Sequence, residues 1–513
     1  MKKNGKILSV FGYIPVYILL SFVWFILIAS LLCRAEYCNY RYNDKPAWVH
    51  QDSILLLISV FIMVVILAGL LILSKRLNKY NNRRVLFIII SLSLIVQLSL
   101  LLLFPTKQFA DQEEVNRISY DIIKGDFEAF RKGGYLYQYP NNIGITLFLS
   151  LIYRIFPQPL VVPKLLNIVF STITSYLIFK IFKVTQPNNQ NQYGYGILIF
   201  SCFFPPMILL NNLVYNDIFA TTLLAAAIYY IIKFTNTRKW YLLAIAGVLL
   251  SMGNFLRQVG LVFLLAISIY LIIIRIPIMK TIAFLVVVLI LCKLPLFIIN
   301  TYLIENDKIT EPLGSNSIPI HMWIHMGMNE ETIGYWDGSY SWRIYTDQCQ
   351  SNKNESIQVY SKLINDKIQN LGIINLTNVY IEKNLWLWTE GTYQAEYYGI
   401  GAWGHLYSTP ATIKYDSSVY FRDSIRWILH VINILMLGLI FIGLMYSVYK
   451  KKHYPLLLPV IVLLGFIGFY TIWEIKPRYL YPIYPYLILM AYEGLIIFIN
   501  LLPYRLKSFI KFK

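Results

Sequence analysis

Between positions 109 and 144 the sequence reads FADQEEVNRISYDIIKGDFEAFRKGGYLYQYPNNIG, and it places Asp111, Glu113, Glu114, Asp121, Asp126 and Glu128 in a chain that is 57 % hydrophobic. The stretch begins a few residues after IIISLSLIVQLSLLLLF, an apolar run suited to lipid. Carboxylates at such a place can cap a helix, keep a surface helix wetted, or take a proton from a hydroxyl held at the membrane edge. Val115, Ile118, Ile122 and Ile123 recur at helical spacing with acids and polar residues between them. That pattern predicts an amphipathic helix lying on the membrane surface, apolar side down. Glu113, Glu114, Asp121, Asp126 and Glu128 read as its solvated face. Asp111 differs, because it sits where the preceding span leaves the bilayer; it reads as the helix N-cap or as a proton acceptor. Gly125 ends the helix, and Gly133-Gly134 breaks the next segment. Asn142 to Phe156 is apolar but short for a span, which predicts a second interfacial or partly inserted helix.

The elements that must position these acids are membrane helices. Only 14 % of the 513 residues are charged, against roughly a quarter in soluble domains. Apolar runs of membrane-spanning length recur near 8–33, 53–74, 85–105, 161–182, 195–210, 218–234, 240–256, 259–275, 279–300, 425–449, 454–473 and 479–502, about twelve transmembrane helices in all. Alternate connections are basic and free of Asp and Glu. They hold Lys2, Lys3 and Lys6; Lys75, Arg76, Lys79, Arg83 and Arg84; Lys180 and Lys183; Lys233, Arg238 and Lys239; Arg275 and Lys280; Lys450, Lys451 and Lys452; and Arg505, Lys507, Lys511 and Lys513. The positive-inside rule puts these connections and both termini in the cytoplasm, and the acid-rich connections outside. The net charge of +19 is thus a topological signal, and the partner it implies is the lipid bilayer, not nucleic acid.

The expected fold class is an all-α polytopic membrane protein with amphipathic surface helices and a mixed extracytoplasmic loop domain. Its organisation reads as an N-terminal transmembrane module over 1–300 including the outer loop 106–160, a loop domain over 301–424, and C-terminal transmembrane helices over 425–513. Cys33, Cys38, Cys202, Cys292 and Cys349 show no metal-ligand spacing; Cys33 and Cys38 could pair on an oxidising side, and free thiols are the preferred reading. His321 and His325 are four apart, which suits one helix face, but no H-E-x-x-H occurs and Pro319 precedes them. They and His405 read as structural, and the metal question stays open.

Further stretches bear on the opening one. LVYNDIFATTLL sets Asp217 at the outer end of the span near 218–234. MGNFLRQVGLVFLL and IWEIKPRYLYPIYP set Arg257, Lys476 and Arg478 at outer helix ends, where the positive-inside bias disfavours cations. A span, an acidic residue opening an outward loop, amphipathic helices, and YQYPNNIG leading into an apolar helix together resemble the C-superfamily (GT-C) glycosyltransferases. These are polytopic enzymes that take sugars from polyprenyl-phosphate carriers, and the layout is similar to the protein O-mannosyltransferase and lipid A aminoarabinose transferase families. The resemblance covers most of residues 85–300 and 470–490. It implies Asp111 as catalytic base and Asp217 as second acid or acceptor orienter. It further implies Arg257, Arg478 and Lys476 as cations for the donor phosphate. Lys293, inside the span near 279–300, joins them because a charge there is costly and often functional. Tyr139, Asn141 and Asn142 of YQYPNNIG, and Glu390 of WTEGTYQAEY, become sugar or acceptor contacts. Glu493, inside the last span, reads as paired with a polar group.

The chemistry accounts for these residue types. A sugar on a lipid phosphate has its leaving group built in, so the enzyme needs a base for the acceptor hydroxyl and cations for the departing phosphate. The expected activity is inverting transfer of a hexosyl or pentosyl group to a cell-wall glycopolymer or lipid-linked glycan, on the outer face of a bacterial plasma membrane. No cofactor is required, and a divalent cation is admissible because some families of the superfamily use one. Two alternatives compete. A polysaccharide polymerase or ligase would favour several outer arginines over an Asp pair. A lipid-carrier flippase or transporter would carry charges through the middle of its spans, whereas here they gather at outer helix ends.

Overall fold

The computed structural model of the protein describes residues 2–36, 47–157, 160–186, 190–401, 404–451 and 454–502. Cys38, Lys452 and the basic tail lie outside the described residues. Eight helices are long and apolar enough to cross a membrane: Gly12–Leu32, Ser53–Leu77, Asn82–Leu103, Val161–Thr185, Asp217–Thr237, Ile278–Glu305, Val419–Tyr449 and Pro477–Leu501. A further candidate is bent by 42° between Tyr193–Cys202 and Pro205–Asn212. Pro205 and Pro206 cause the bend: neither has an N–H to donate to the preceding turn, and both fit the first turn of a new helix. Three shorter apolar helices, Tyr241–Leu256, Gly260–Ile273 and Leu457–Ile472, take up the remaining apolar runs. The chain is an all-α polytopic membrane protein. Among the described residues the only strands are Cys33–Glu36 and Ala47–His50, paired antiparallel with Cys33 opposite His50.

Burial sorts these helices into an inner and an outer set. Ser53–Leu77 turns Ile54, Leu57 and Phe61 outward, and Ile278–Glu305 turns Met279, Ile290 and Phe297 outward. Apolar side chains left exposed over a whole helix belong against lipid. Tyr484–Leu501, by contrast, is buried on almost every side. It meets Val419–Tyr449 backbone to backbone: a Cβ at Gly494 would lie 1.8 Å from the Leu439 carbonyl oxygen, so only glycine allows the approach. Glu493 accepts a bond of 2.8 Å from the Gln186 side-chain amide, which is the polar pairing expected of it.

The connections 106–160 and 301–424 differ from expectation in one instructive way. The amphipathic helix forms over Asp111–Ile123, but its apolar face is covered by protein. Val115, Ile118 and Ile122 are buried, with Ile118 and Ile122 in a cluster with Phe130, Leu136, Ile143, Leu303 and Ile309. Its main neighbour is the helix Ile143–Ile155, the second short helix foreseen in the sequence. On its other face Arg117 bridges Glu114 at 2.5 Å and Asp121 at 2.7 Å, and on the following 3-10 turn Arg131 pairs with Glu128. These are exposed pairs of small energetic weight.

Segment 301–424 is built largely from helices, Ile320–Gly327, Lys353–Thr389 and Pro410–Ser417 among them. Lys353–Thr389 is broken at Gly372, where φ is +67°. The buried Lys383 ties this segment to the membrane helices. Its ammonium donates to the carbonyls of Gly327 at 2.8 Å, Thr471 at 3.1 Å and Trp473 at 2.5 Å, and burial lowers its pKa to about 7. An antiparallel bridge, Thr106 to His405, joins the segment to the chain just ahead of Asp111.

Candidate active site

Three helix ends meet, and each presents one charged side chain. Asp217 is the first residue of Asp217–Thr237, where a carboxylate complements the positive end of the helix dipole. Arg257 follows the last residue of Tyr241–Leu256, where a cation complements the negative end. Arg478 enters on a 3-10 turn, Pro477–Ile483, between Leu457–Ile472 and Tyr484–Leu501. Pro477 starts that turn, and Pro482 and Pro485 direct the chain into the last helix.

The three side chains form one cluster. Arg257 Nη1 donates to Asp217 Oδ1 at 2.5 Å and to Asn216 Oδ1 at 3.0 Å. Arg478 Nη1 donates to Asp217 Oδ2 at 2.7 Å. The side chain of Asp217 is 1 % exposed, that of Arg478 3 % and that of Arg257 9 %. One carboxylate therefore holds two buried guanidiniums, and the cluster carries a net positive charge. Aromatic faces support both cations: Tyr479 lies 5.3 Å from Arg257, and Tyr398 and Tyr215 lie 4.7 Å and 5.2 Å from Arg478. The Nε–H groups of both arginines are buried with no hydrogen-bond partner among the described residues. Such buried donors are costly to leave unmet.

Loops bring Asp111 toward this cluster. Gln108 donates to the Asn212 carbonyl at 3.0 Å and accepts from the Val214 amide at 2.8 Å, fastening the chain before Asp111 to the chain before Asp217. Lys164, buried at the head of Val161–Thr185, adds bonds to the Thr106 carbonyl at 2.9 Å and to Asn212 Oδ1 at 3.2 Å. Asp111 itself is the first helical residue and not the N-cap; that place belongs to Ala110, with φ +49° and ψ −130° and no side-chain cap. One oxygen of Asp111 accepts from the Tyr135 hydroxyl at 3.0 Å. Tyr135 in turn accepts from Asn142 Nδ2 at 2.7 Å, and Asn142 Oδ1 accepts from the Tyr215 hydroxyl at 2.8 Å. Tyr215 lies against Arg478, so a continuous polar chain runs from Asp111 to the arginine cluster.

The other residues singled out in the sequence take varied places. Asn142 is buried with both ends of its amide engaged, and Asn141 donates to it at 3.3 Å; Asn142 is a bridge rather than a free sugar contact. Tyr139 packs against Tyr135 with ring centroids 5.0 Å apart. Lys476 is half-buried over Tyr335 and Trp336, beside the cluster. Lys293 is exposed on Ile278–Glu305, and no described contact joins it to the arginines. Glu390 lies apart too. It is buried and accepts from the backbone amides of Thr392 at 3.0 Å and Tyr393 at 2.9 Å, beside Arg34, Glu396 and Arg426 around a separate small cavity. His325 contacts Ser341 at 3.0 Å, and burial lowers its pKa to about 4, in keeping with a structural role. Among the described residues no three His, Cys, Asp or Glu side chains are grouped to hold a metal ion.

Glu474 went unnoticed in the sequence although it stands within IWEIKPRY. It is buried, 3.5 Å from the Tyr479 hydroxyl. Burial raises its pKa to about 7 against the opposing pull of Lys476, Tyr479 and Lys383, and Asp111 is close enough to push it further up. An acid four residues before Arg478 in an otherwise apolar and basic stretch was the available signal.

No curated protein sequence matches the chain. The model of the dolichyl-phosphate-mannose-protein mannosyltransferase family matches residues 141–299. That segment holds Asn141, Asn142, Asp217, Arg257 and Lys293, while Asp111, Tyr139, Glu390, Lys476 and Arg478 fall outside it. Over residues 141–299 the chain is therefore similar to the dolichyl-phosphate-mannose-protein mannosyltransferases, within the same group of membrane enzymes that its motifs resemble.

Proposed function

We propose that the protein is an integral-membrane glycosyltransferase that moves one sugar from a polyprenyl-phosphate donor to an acceptor hydroxyl on the outer side of a bacterial plasma membrane, both chain termini being cytoplasmic. The observation that carries this reading is the pair of buried arginines sharing Asp217 while each keeps an unspent Nε–H. A phosphate is the anion that suits two such forks near a membrane edge. The family match points to lipid-phosphate sugar chemistry in the segment containing Asp217 and Arg257.

The steps follow from charge. Asp111 takes the proton of the acceptor hydroxyl, whose oxygen attacks the anomeric carbon. The bond from that carbon to the phosphate oxygen breaks, and polyprenyl phosphate departs with one more negative charge than it carried as a diester. Arg257 and Arg478 meet that charge as it develops, which lowers the barrier more than it stabilises the bound donor. Direct attack inverts the anomeric centre. The acceptor on this reading is a cell-wall glycopolymer or a lipid-linked glycan, with Lys476 as a further cation beside the phosphate.

The test offers purified protein a panel of radiolabelled polyprenyl-phosphate hexoses and pentoses with membrane glycan acceptors. One donor should be consumed, and release of polyprenyl phosphate should match label in the acceptor mole for mole. A protein that consumes none of them but moves labelled lipid between leaflets of a vesicle would instead be a flippase.

A further inference from the structure

We infer that Tyr135, Asn142 and Tyr215 form a one-way hydrogen-bond chain whose task is to hold the Asp111 carboxylate in register with Arg478. This rests on the reading of Asp111 as the base and adds positioning residues to it. Every donor in the chain points toward Asp111: Tyr215 to Asn142 at 2.8 Å, Asn142 to Tyr135 at 2.7 Å, and Tyr135 to Asp111 at 3.0 Å. The polarity is fixed by the groups themselves. A carboxylate can only accept, so Tyr135 must donate to it; its oxygen then accepts from the amide nitrogen, which leaves the amide oxygen to accept from Tyr215. Burial and the nearby Asp111 raise the pKa of both tyrosines, so both keep the protons the chain needs.

Asn142 decides what the chain does. A side-chain amide neither gains nor loses a proton under working conditions, so the chain cannot carry protons to or from Asp111. It can transmit position. Tyr215 is wedged against the Arg478 guanidinium, 5.2 Å away, and Tyr139 packs on the Tyr135 ring. A shift of Arg478 is thus passed to the Asp111 oxygen that accepts from Tyr135, while the second Asp111 oxygen stays available to the acceptor hydroxyl. Ser119 donates to the Thr146 carbonyl at 3.0 Å and so adds a strut between the helix that Asp111 opens and the helix that Asn142 precedes.

The test is a double-mutant cycle on purified protein. Tyr135→Phe removes one hydroxyl and should lower kcat by about 10–100-fold, the scale of a misplaced reacting group, with the KM for donor unchanged. In an Asp111→Asn background, where the residual rate is read in long single-turnover incubations, the same substitution should change little, because the group it positions is gone. Tyr215→Phe, at the far end, should repeat the pattern with a smaller loss and serves if Tyr135→Phe does not fold. An equal fold-loss in both backgrounds would make Tyr135 a merely structural residue and overturn the inference. A raised donor KM with normal kcat would also overturn it, moving Tyr135 to the donor site. Near-normal transfer by Asp111→Asn would sink the base assignment and this inference together, a different outcome from additivity in an enzyme that does need Asp111.

Discussion

Replacing Asp217 with Asn tests what the buried cluster is for. The substitution keeps shape but leaves Arg257 and Arg478, 9 % and 3 % exposed at the side chain, facing a neutral amide. Removing one partner from a buried ion pair costs about 3–5 kcal/mol, because the charge left behind has lost its compensation. Here two cations lose the same partner, so the upper part of that range applies. Unfolding of the purified protein in detergent should therefore occur at clearly lower temperature. If the cluster is also the phosphate site, a bound phosphate supplies the missing negative charge. Polyprenyl phosphate at about 100 times its Kd for Asp217→Asn should then return about 2.7 kcal/mol to that variant by mass action, and the same concentration less to the unaltered protein. The gain in melting temperature on adding it should be larger for Asp217→Asn than for the unaltered protein, since the variant has no internal anion competing for the arginines. Equal small gains in both proteins, or none, would refute the anion-site reasoning and leave the triad a structural clasp. An unchanged melting temperature without ligand would refute the energetics as well.

Arg478→Ala and Arg257→Ala should each lower donor turnover by about 10²–10³-fold, the worth of one well-placed transition-state donor. Lysine at either position should restore part of it, because charge survives without the fork; normal turnover in both alanine variants would exclude the phosphate role. Glu390 and Glu474, both raised by burial to about 7 from 4.5, keep protons in the folded state that the unfolded chain releases. The folded state binds more protons across that window, so stability is highest at its acid end and falls as pH rises toward 7. Gln at both positions should flatten that fall; a melting series from pH 5 to 8 with an undiminished slope contradicts it. Single cysteines in 301–424 should label with an impermeant reagent outside intact cells, and those at 76–83 should not; the reverse would overturn the orientation.

Eight of the expected spans were legible because lipid imposes a long apolar run on a crossing helix, whereas Tyr241–Leu256, Gly260–Ile273 and Leu457–Ile472, also expected as spans, are apolar helices of only 14–16 residues. The break within Tyr193–Asn212 went unread in the single span expected near 195–210, although Pro205 and Pro206 carry its signal. Helix Asp111–Ile123 was legible in its period, but the partner that covers Val115, Ile118 and Ile122 was not. The same apolar face suits lipid or the helix Ile143–Ile155 equally well. Asp111 could not be seen as the first helical residue because the decisive fact is the positive φ of Ala110. The candidate cluster was legible as residue types at helix ends. Its pairing was not, since Arg478 meets Asp217 across 261 positions of sequence, a contact set by packing of three helices. Lys293 was ambiguous for a related reason: a charge in an apolar run signals function or snorkelling alike, and the structure places it exposed on Ile278–Glu305.

The proposed mechanism has a carboxylate at the membrane edge take the acceptor proton while two buried arginines receive the phosphate. It is tested most directly by measuring sugar transfer from polyprenyl phosphate by Asp111→Asn beside the unaltered protein. Asn keeps the size and accepts the Tyr135 hydrogen bond through its oxygen, but it cannot take a proton at working pH. Transfer should fall by about 10²–10⁴-fold, the usual worth of positioned acid–base catalysis. Melting temperature should stay near normal, and Glu113→Gln, on the same helix, should change little. Near-normal transfer by Asp111→Asn would contradict the account.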